Sequence, residues 1–365
     1  MADKKTFHSN LSVSSSPHLV TKVDTQRTML YVVIALIPAC VMAVFYFGFA
    51  ALIRIILGAV FCWALEFAYD KLMKKPDTTK DCSCIVTGII LALNLPANLA
   101  IWQEFIGCIV AIIIVKCLYG GIGKNIANPA IVGRIVLFLS YSNAMATWPL
   151  TRLQLSGTGV NFISSSDLVD ATTGATALGA LESAGTWLPT LQQLFLGNIG
   201  GAMGETCALA ILIGGIFLIW KKVIKPIIPC TYIATVFVFA LIYYAVIGAP
   251  AQYTALGMAF YHVLSGGVMF GAFFCATDYV TSPIMDRGKY VYAIGLGLIT
   301  MVIRLFGSYP EGVSFAILFM NIVTPLIDRY VERTYYGASK REKEEKRIAK
   351  QTAKAAPKEE EGGKA

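Results

Sequence analysis

MLYVVIALIPACVMAVFYFG, residues 29–48, has no charged side chain and a single proline in twenty positions. A run of that length and composition crosses the hydrocarbon of a bilayer as a helix. Further apolar runs fall at about 51–70, 82–97, 103–119, 129–147, 205–220, 228–247, 258–277, 290–306 and 313–328. They predict an all-α polytopic membrane protein of about ten transmembrane helices. Composition agrees: of 365 residues 56% are hydrophobic and 14% charged, with a mean hydropathy of +0.65, against about 45–50% apolar and about 25% charged in soluble domains. The first 28 residues are polar, carry Lys4, Lys5, Lys22 and Arg27, and show no small-residue cleavage site, so the first span is expected to stay in the membrane.

Charge orients the spans. Lys and Arg gather on alternate connections: Lys71, Lys74, Lys75 and Lys80 after the second span, Lys116, Lys124 and Arg134 around the fourth and fifth, Lys221, Lys222 and Lys225 after the sixth, Arg287 and Lys289 after the eighth. Of the 30 basic residues only Arg54, Arg152 and Arg304 fall on the other side, so both termini are expected in the cytoplasm. The same topology accounts for the net charge of +8. The chain divides into a cytoplasmic arm (1–28), five spans (29–147), an extracytoplasmic loop (148–204), five more spans (205–331) and a charged cytoplasmic tail (332–365). The tail, rich in Lys, Glu and Ala, reads as an exposed helix or a disordered segment.

Five spans on each side of the loop make the second half enter with opposite polarity, an inverted repeat. Interruptions at Leu95-Pro96 and Ser282-Pro283 recur in corresponding third spans. They are ordinary kinks, or helix ends buried between the halves and facing a site. Ionisable residues in or beside spans need partners: Glu66, Asp70, Glu104, Lys116, Lys124, Arg134, Asp278, Arg304 and Asp328. Asp278, with Thr277, Thr281 and Ser282 beside it, offers oxygens suited to a hard cation. Most of the nine cysteines lie inside apolar runs and read as small buried hydrophobes, and the lone Cys82-x-Cys84 pair, with no second pair at ligand spacing, is weak evidence for a metal. Phosphate loops, catalytic triads and nucleic-acid signatures are absent.

Within the long loop stands Asp170-Ala171-Thr172-Thr173-Gly174-Ala175-Thr176. By chemistry alone it is a Thr-rich loop with exposed hydroxyls. It also resembles the D-x-x-[S/T]-G-A-T acceptor on which flavin transferases esterify a threonine with the phosphate of FMN, matched here by Asp170, Thr173, Gly174, Ala175 and Thr176. Leu93-Asn94-Leu95-Pro96, Gly121-Ile122-Gly123-Lys124-Asn125, Asn128-Pro129-Ala130, Ala276 to Pro283, Tyr309 to Val313 and Thr324 to Asp328 are similar to the RnfD proteins of Rnf electron-transport complexes. The resemblance covers roughly residues 12–330 and departs at Tyr279, where the family often has proline.

The resemblance implies a membrane flavoprotein component of an Rnf-type ferredoxin:NAD+ oxidoreductase, a translocase in the bacterial inner membrane coupled to Na+ or H+, and not an enzyme on its own. Its cofactor is FMN esterified to Thr176, and a riboflavin within the membrane region is also implied, with Asn128, Pro96 and Pro283 as its neighbourhood. The other Rnf complex components (RnfA, RnfB, RnfC, RnfE and RnfG), a flavin transferase for maturation and membrane lipid are the implied partners; nucleic acid is not. The related NqrB protein of the Na+-translocating NADH:quinone reductase shares the architecture but usually has a longer N-terminal arm. From a different class, a ten-helix solute channel or carrier also fits interrupted inverted repeats.

Overall fold

The computed structural model describes residues 24–151, 176–182, 188–307 and 311–331. Its elements are helical, and no strand occurs among the described residues. Among the described residues, five helices are long and apolar enough to cross a bilayer: α1 (Thr25–Phe47), α2 (Phe49–Leu72), α10 (Ile227–Ile247), α13 (Asp286–Phe306) and α14 (Val313–Tyr330). A sixth crossing is available if α11 (Ala255–Leu264) and α12 (Val268–Cys275), bent by 59° at their junction, act as one span. The outward faces of the long helices carry Ile37, Val41, Ile56, Val238, Ile242 and Leu298 in the open. Helices apolar on the outside as well as the inside are built for lipid, so the molecule is a multi-pass membrane protein.

The shorter apolar helices are of a different kind. α3 (Ser83–Leu93), α5 (Pro129–Ser140) and α9 (Ala208–Trp220) have 11, 12 and 13 residues. At 1.5 Å per residue they span about 17–20 Å, short of the roughly 30 Å hydrocarbon core. The runs predicted at 82–97, 129–147 and 205–220 are therefore helical over only part of their length. α4 (Ile101–Ile109) passes directly into a π-helical stretch, Val110–Cys117, and a one-turn α6 (Ser142–Ala146) follows α5.

A short helix ending inside the protein leaves carbonyls that must find donors. For α3 they come from a distant part of the chain: Gly204 N–H donates to Leu93 O at 2.7 Å and Met203 N–H to Leu95 O at 3.2 Å. Leu95-Pro96 thus lies just beyond a helix end. In the second half the interruption is not at Ser282-Pro283, which belongs to the connection between α12 and α13. It falls at Ser265-Gly266-Gly267, where Gly266 has φ +63° and a Cβ on Gly267 would lie 2.7 Å from Glu205 Oε1. Arg304 supplies the missing donors there, to His262 O at 2.6 Å and Ser265 O at 3.0 Å.

The halves meet where α1 packs on α9 and α5 on α14. The end of the long loop enters this seam: Ala202, Met203 and Glu205 are buried. α7 (Ala177–Glu182) and α8 (Leu191–Leu196) rest against α11, with Tyr261 OH donating to Ala177 O and Tyr253 OH to Pro189 O, both at 2.5 Å.

Candidate functional site

Thr176 opens α7. It is 8% exposed, and its Oγ1 accepts the Gly179 N–H at 3.0 Å, the bond of a helix N-cap. Asp170, Thr173, Gly174 and Ala175 lie outside the described residues. Against Thr176 is a small cavity of about 20 Å³, bounded by Glu205, Ser265, Glu311 and the glycines Gly200 and Gly201. It has room for about one water. Ser265 is 1% exposed and its Oγ has no hydrogen-bond partner.

Behind the cavity sits Arg134, buried midway along α5. Its Nη1 donates to Asn94 Oδ1 at 3.1 Å and Ser314 Oγ at 3.0 Å, and its Nη2 to Glu311. Glu205 Oε1 lies 2.9 Å from Nη1, yet both Nη1 protons are already directed elsewhere. Glu205 is thus held chiefly by its charge contact with Arg134. One guanidinium ties the end of α3, α5, α14 and the segment before α9 into a single knot between the halves.

A larger chamber of about 220 Å³ lies at the opposite end of α5, with Lys116, Asn125, Asn128 and Asp278 among its polar walls and Phe273 and Phe274 among its apolar ones. Asn128 caps α5, accepting the Ala130 N–H at 3.1 Å, while its Nδ2 donates to Cys275 O at 3.1 Å. The cap of one half thus fastens the end of α12 in the other. Lys116, on the π-helical stretch, is neutralised by Glu66 at 2.6 Å and donates to Ser83 Oγ at 2.8 Å.

The structure brings Asn128 and Asp278 into one chamber. Pro96 and Pro283, expected in the same neighbourhood, are buried elsewhere and do not line it. Around Asp278, Thr281 Oγ1 donates to Oδ2 at 3.3 Å and Thr277 Oγ1 donates to Phe273 O at 2.7 Å. Two of the oxygens expected for a cation are thus engaged in local turns. No cluster of three or more His, Cys, Asp or Glu able to hold a metal occurs among the described residues. Of the other ionisable candidates, Glu104 faces Arg54 at 3.6 Å, Asp70 accepts from Thr78 and Asp328 accepts the Ile284 N–H. Sequence reasoning missed Glu205 and Glu311. Arg134 was the available signal, because a guanidinium in an apolar run requires acids from somewhere else in the chain.

The NQR2, RnfD, RnfE family matches residues 12–337. Three relatives, each named as the D component of its complex, align with the chain almost end to end. That of the Na(+)-translocating ferredoxin:NAD(+) oxidoreductase complex of Acetobacterium woodii is 43% identical, over 92% of this chain and 98% of that protein. That of the proton-translocating ferredoxin:NAD(+) oxidoreductase complex of Clostridium ljungdahlii is 38% identical, over 92% and 99%. That of the ion-translocating oxidoreductase complex of Actinobacillus succinogenes is 39% identical, over 89% and 97%.

Proposed function

Because the chain belongs to the NQR2, RnfD, RnfE family, we propose that it is the RnfD component of an ion-translocating ferredoxin:NAD+ oxidoreductase complex, carrying FMN esterified to Thr176. The observation that carries this is end-to-end similarity to proteins named for that place in the complex, together with a threonine at the end of the acceptor motif. One of those relatives is named for sodium and another for protons, so the coupling ion is either. The remaining members of the complex and a flavin transferase are the partners this function requires, in an inner membrane with both termini cytoplasmic. The architecture we propose is the inverted pair of five-helix units, with α3 and the α11–α12 pair as the interrupted members.

Beside Thr176 the unpaired Ser265 hydroxyl offers a donor to a phosphate oxygen, while the Glu205 and Glu311 carboxylates and a volume of about 20 Å³ keep the ester itself outside the cavity. The small cavity has no room for a tricyclic ring, so the isoalloxazine lies beyond it. FMN supplies the electron chemistry; the chain holds its phosphate and shields the cluster behind it. For the implied riboflavin, the chamber with Asn128 and Asp278 offers apolar walls and a few convergent polar groups, the lining such a ligand requires.

Denaturing electrophoresis of membranes from cells containing the flavin transferase provides the test. A fluorescent band is expected at this chain and is lost in Thr176→Ala; a dark wild-type band overturns the FMN assignment. It would also favour the solute carrier, which has no use for a flavin.

A further inference from the structure

Along the outer face of α10 and α13 runs an open groove of about 850 Å³. Cys230, Ala234, Val238 and Ile242, four residues apart on α10, line one side, and Tyr290 and Leu298 of α13 line the other. On its inner side the two helices are in close contact: a Cβ on Gly297 would lie 2.6 Å from Thr235 Cβ, and Tyr232 OH meets Thr300 Oγ1 at 2.8 Å. An apolar outer face is common to all the spans, but a trough of this volume is on the scale of a ligand pocket.

The groove begins at a basic rim. Lys225 precedes Pro226 and Lys289 precedes Tyr290, both of them lining residues. Lys225 Nζ lies 2.7 Å from Asp286 Oδ1 and Lys289 Nζ 3.5 Å from the same oxygen, so one carboxylate answers two ammonium groups and a positive charge is left over. Arg287, exposed beside them, adds another, and both helices start here with their positive dipole ends. Depth separates the candidate occupants. At 1.5 Å per residue the lining runs about 12 Å on α13, from Tyr290 to Leu298, and about 22 Å on α10, from Ile227 to Ile242. One leaflet of hydrocarbon is about 15 Å deep, whereas a partner's transmembrane helix needs the full 30 Å or so.

We infer that this groove is a binding site for one anionic phospholipid, with its phosphate at Lys225, Arg287 and Lys289 and an acyl chain lying along α10. A basic side chain at a membrane surface favours an anionic headgroup by about 1 kcal/mol, about fivefold in affinity. Asp286 works against that preference, because it competes with the phosphate for both lysines. The site requires only that the chain spans a membrane, and it stands whether or not Thr176 carries a flavin.

Cys230, exposed in the groove, is a native reporter. The complex is purified in detergent and stripped of lipid, and the rate at which N-ethylmaleimide modifies Cys230 is followed by peptide mass spectrometry. Dioleoylphosphatidylglycerol, dioleoylphosphatidylcholine or glycerol phosphate is then added. Phosphatidylglycerol is expected to protect Cys230 at lower concentration than phosphatidylcholine, and glycerol phosphate not at all. In Lys225→Ala the preference for phosphatidylglycerol should fall about fivefold, and in Asp286→Asn it should rise. Should Lys225→Ala not assemble, the wild-type lipid comparison and Asp286→Asn still decide. Equal protection by the two lipids, or a preference unchanged in both variants, overturns the headgroup site. Protection by glycerol phosphate alone overturns the lipid in favour of a free phosphate. A Cys230 that stays unreactive after lipid is stripped shows a neighbouring protein helix over the groove and overturns the proposal.

Discussion

Arg134 makes its contacts with four different parts of the chain, and its substitution tests them together. Arg134→Ala leaves the buried Glu205 and the partly buried Glu311 without their counter-charge, a change worth about 3–5 kcal/mol when a buried pair loses one partner. We expect a sharply lower melting temperature and less chain in detergent-extracted membranes. Arg134→Lys keeps the charge but loses the planar fork, and should fall between. By contrast the Lys225–Asp286 pair is more than half exposed at both side chains, and Lys225→Ala should change stability by no more than about 1 kcal/mol. Sequence could nominate Arg134, Lys116 and Glu66, because charges in apolar runs stand out. It could not nominate Glu205, which opens a run that reads as one more span; only the fold brings that residue 71 positions along the chain to face Arg134.

Among the elements, the number of apolar runs was legible and their geometry was not. Hydropathy registers how greasy a stretch is, and α3, with nine buried residues out of 11, is as greasy as a span. Its shortness is visible only where its carbonyls meet Gly204 and Met203. The second interruption was misplaced because proline advertises a break, whereas Ser265-Gly266-Gly267 breaks the helix through backbone freedom and close packing. Close packing also joins α2 to α3, where a Cβ on Gly88 would lie 2.4 Å from Gly58 O. Gly88→Ala must push the two helices apart, at a cost of about 1–3 kcal/mol, and thermal unfolding of the purified complex should show it. A melting temperature equal to wild type would mean that α3 has slack the packing does not reveal.

For the whole molecule, the bilayer is the solvent that decides which substitutions matter. Ile37 is half exposed midway along α1, a position where aspartate would be harmless in water. In hydrocarbon it costs about 2.5–3.5 kcal/mol, so Ile37→Asp should reduce the membrane-inserted chain several-fold while an Ile37→Leu control does not. Orientation is tested separately by Asp77→Cys, in the connection between α2 and α3, with the native cysteines replaced. A membrane-impermeant maleimide should label it in inverted vesicles and not in intact cells.

The backbone bonds from Gly204 and Met203 to the end of α3 also constrain how the chain is made. Leu93 and Arg134 leave the ribosome well before their partners near residue 204. At about 5–20 residues per second, Arg134 waits roughly 4–14 s for Glu205, and the carbonyls of α3 wait longer for Gly204. During that interval the newborn first half holds an unmatched cation and an unfinished helix end within the insertion machinery. Biogenesis of this protein therefore has a built-in vulnerable period, and nascent chains halted before residue 200 should be the ones that membrane quality control removes.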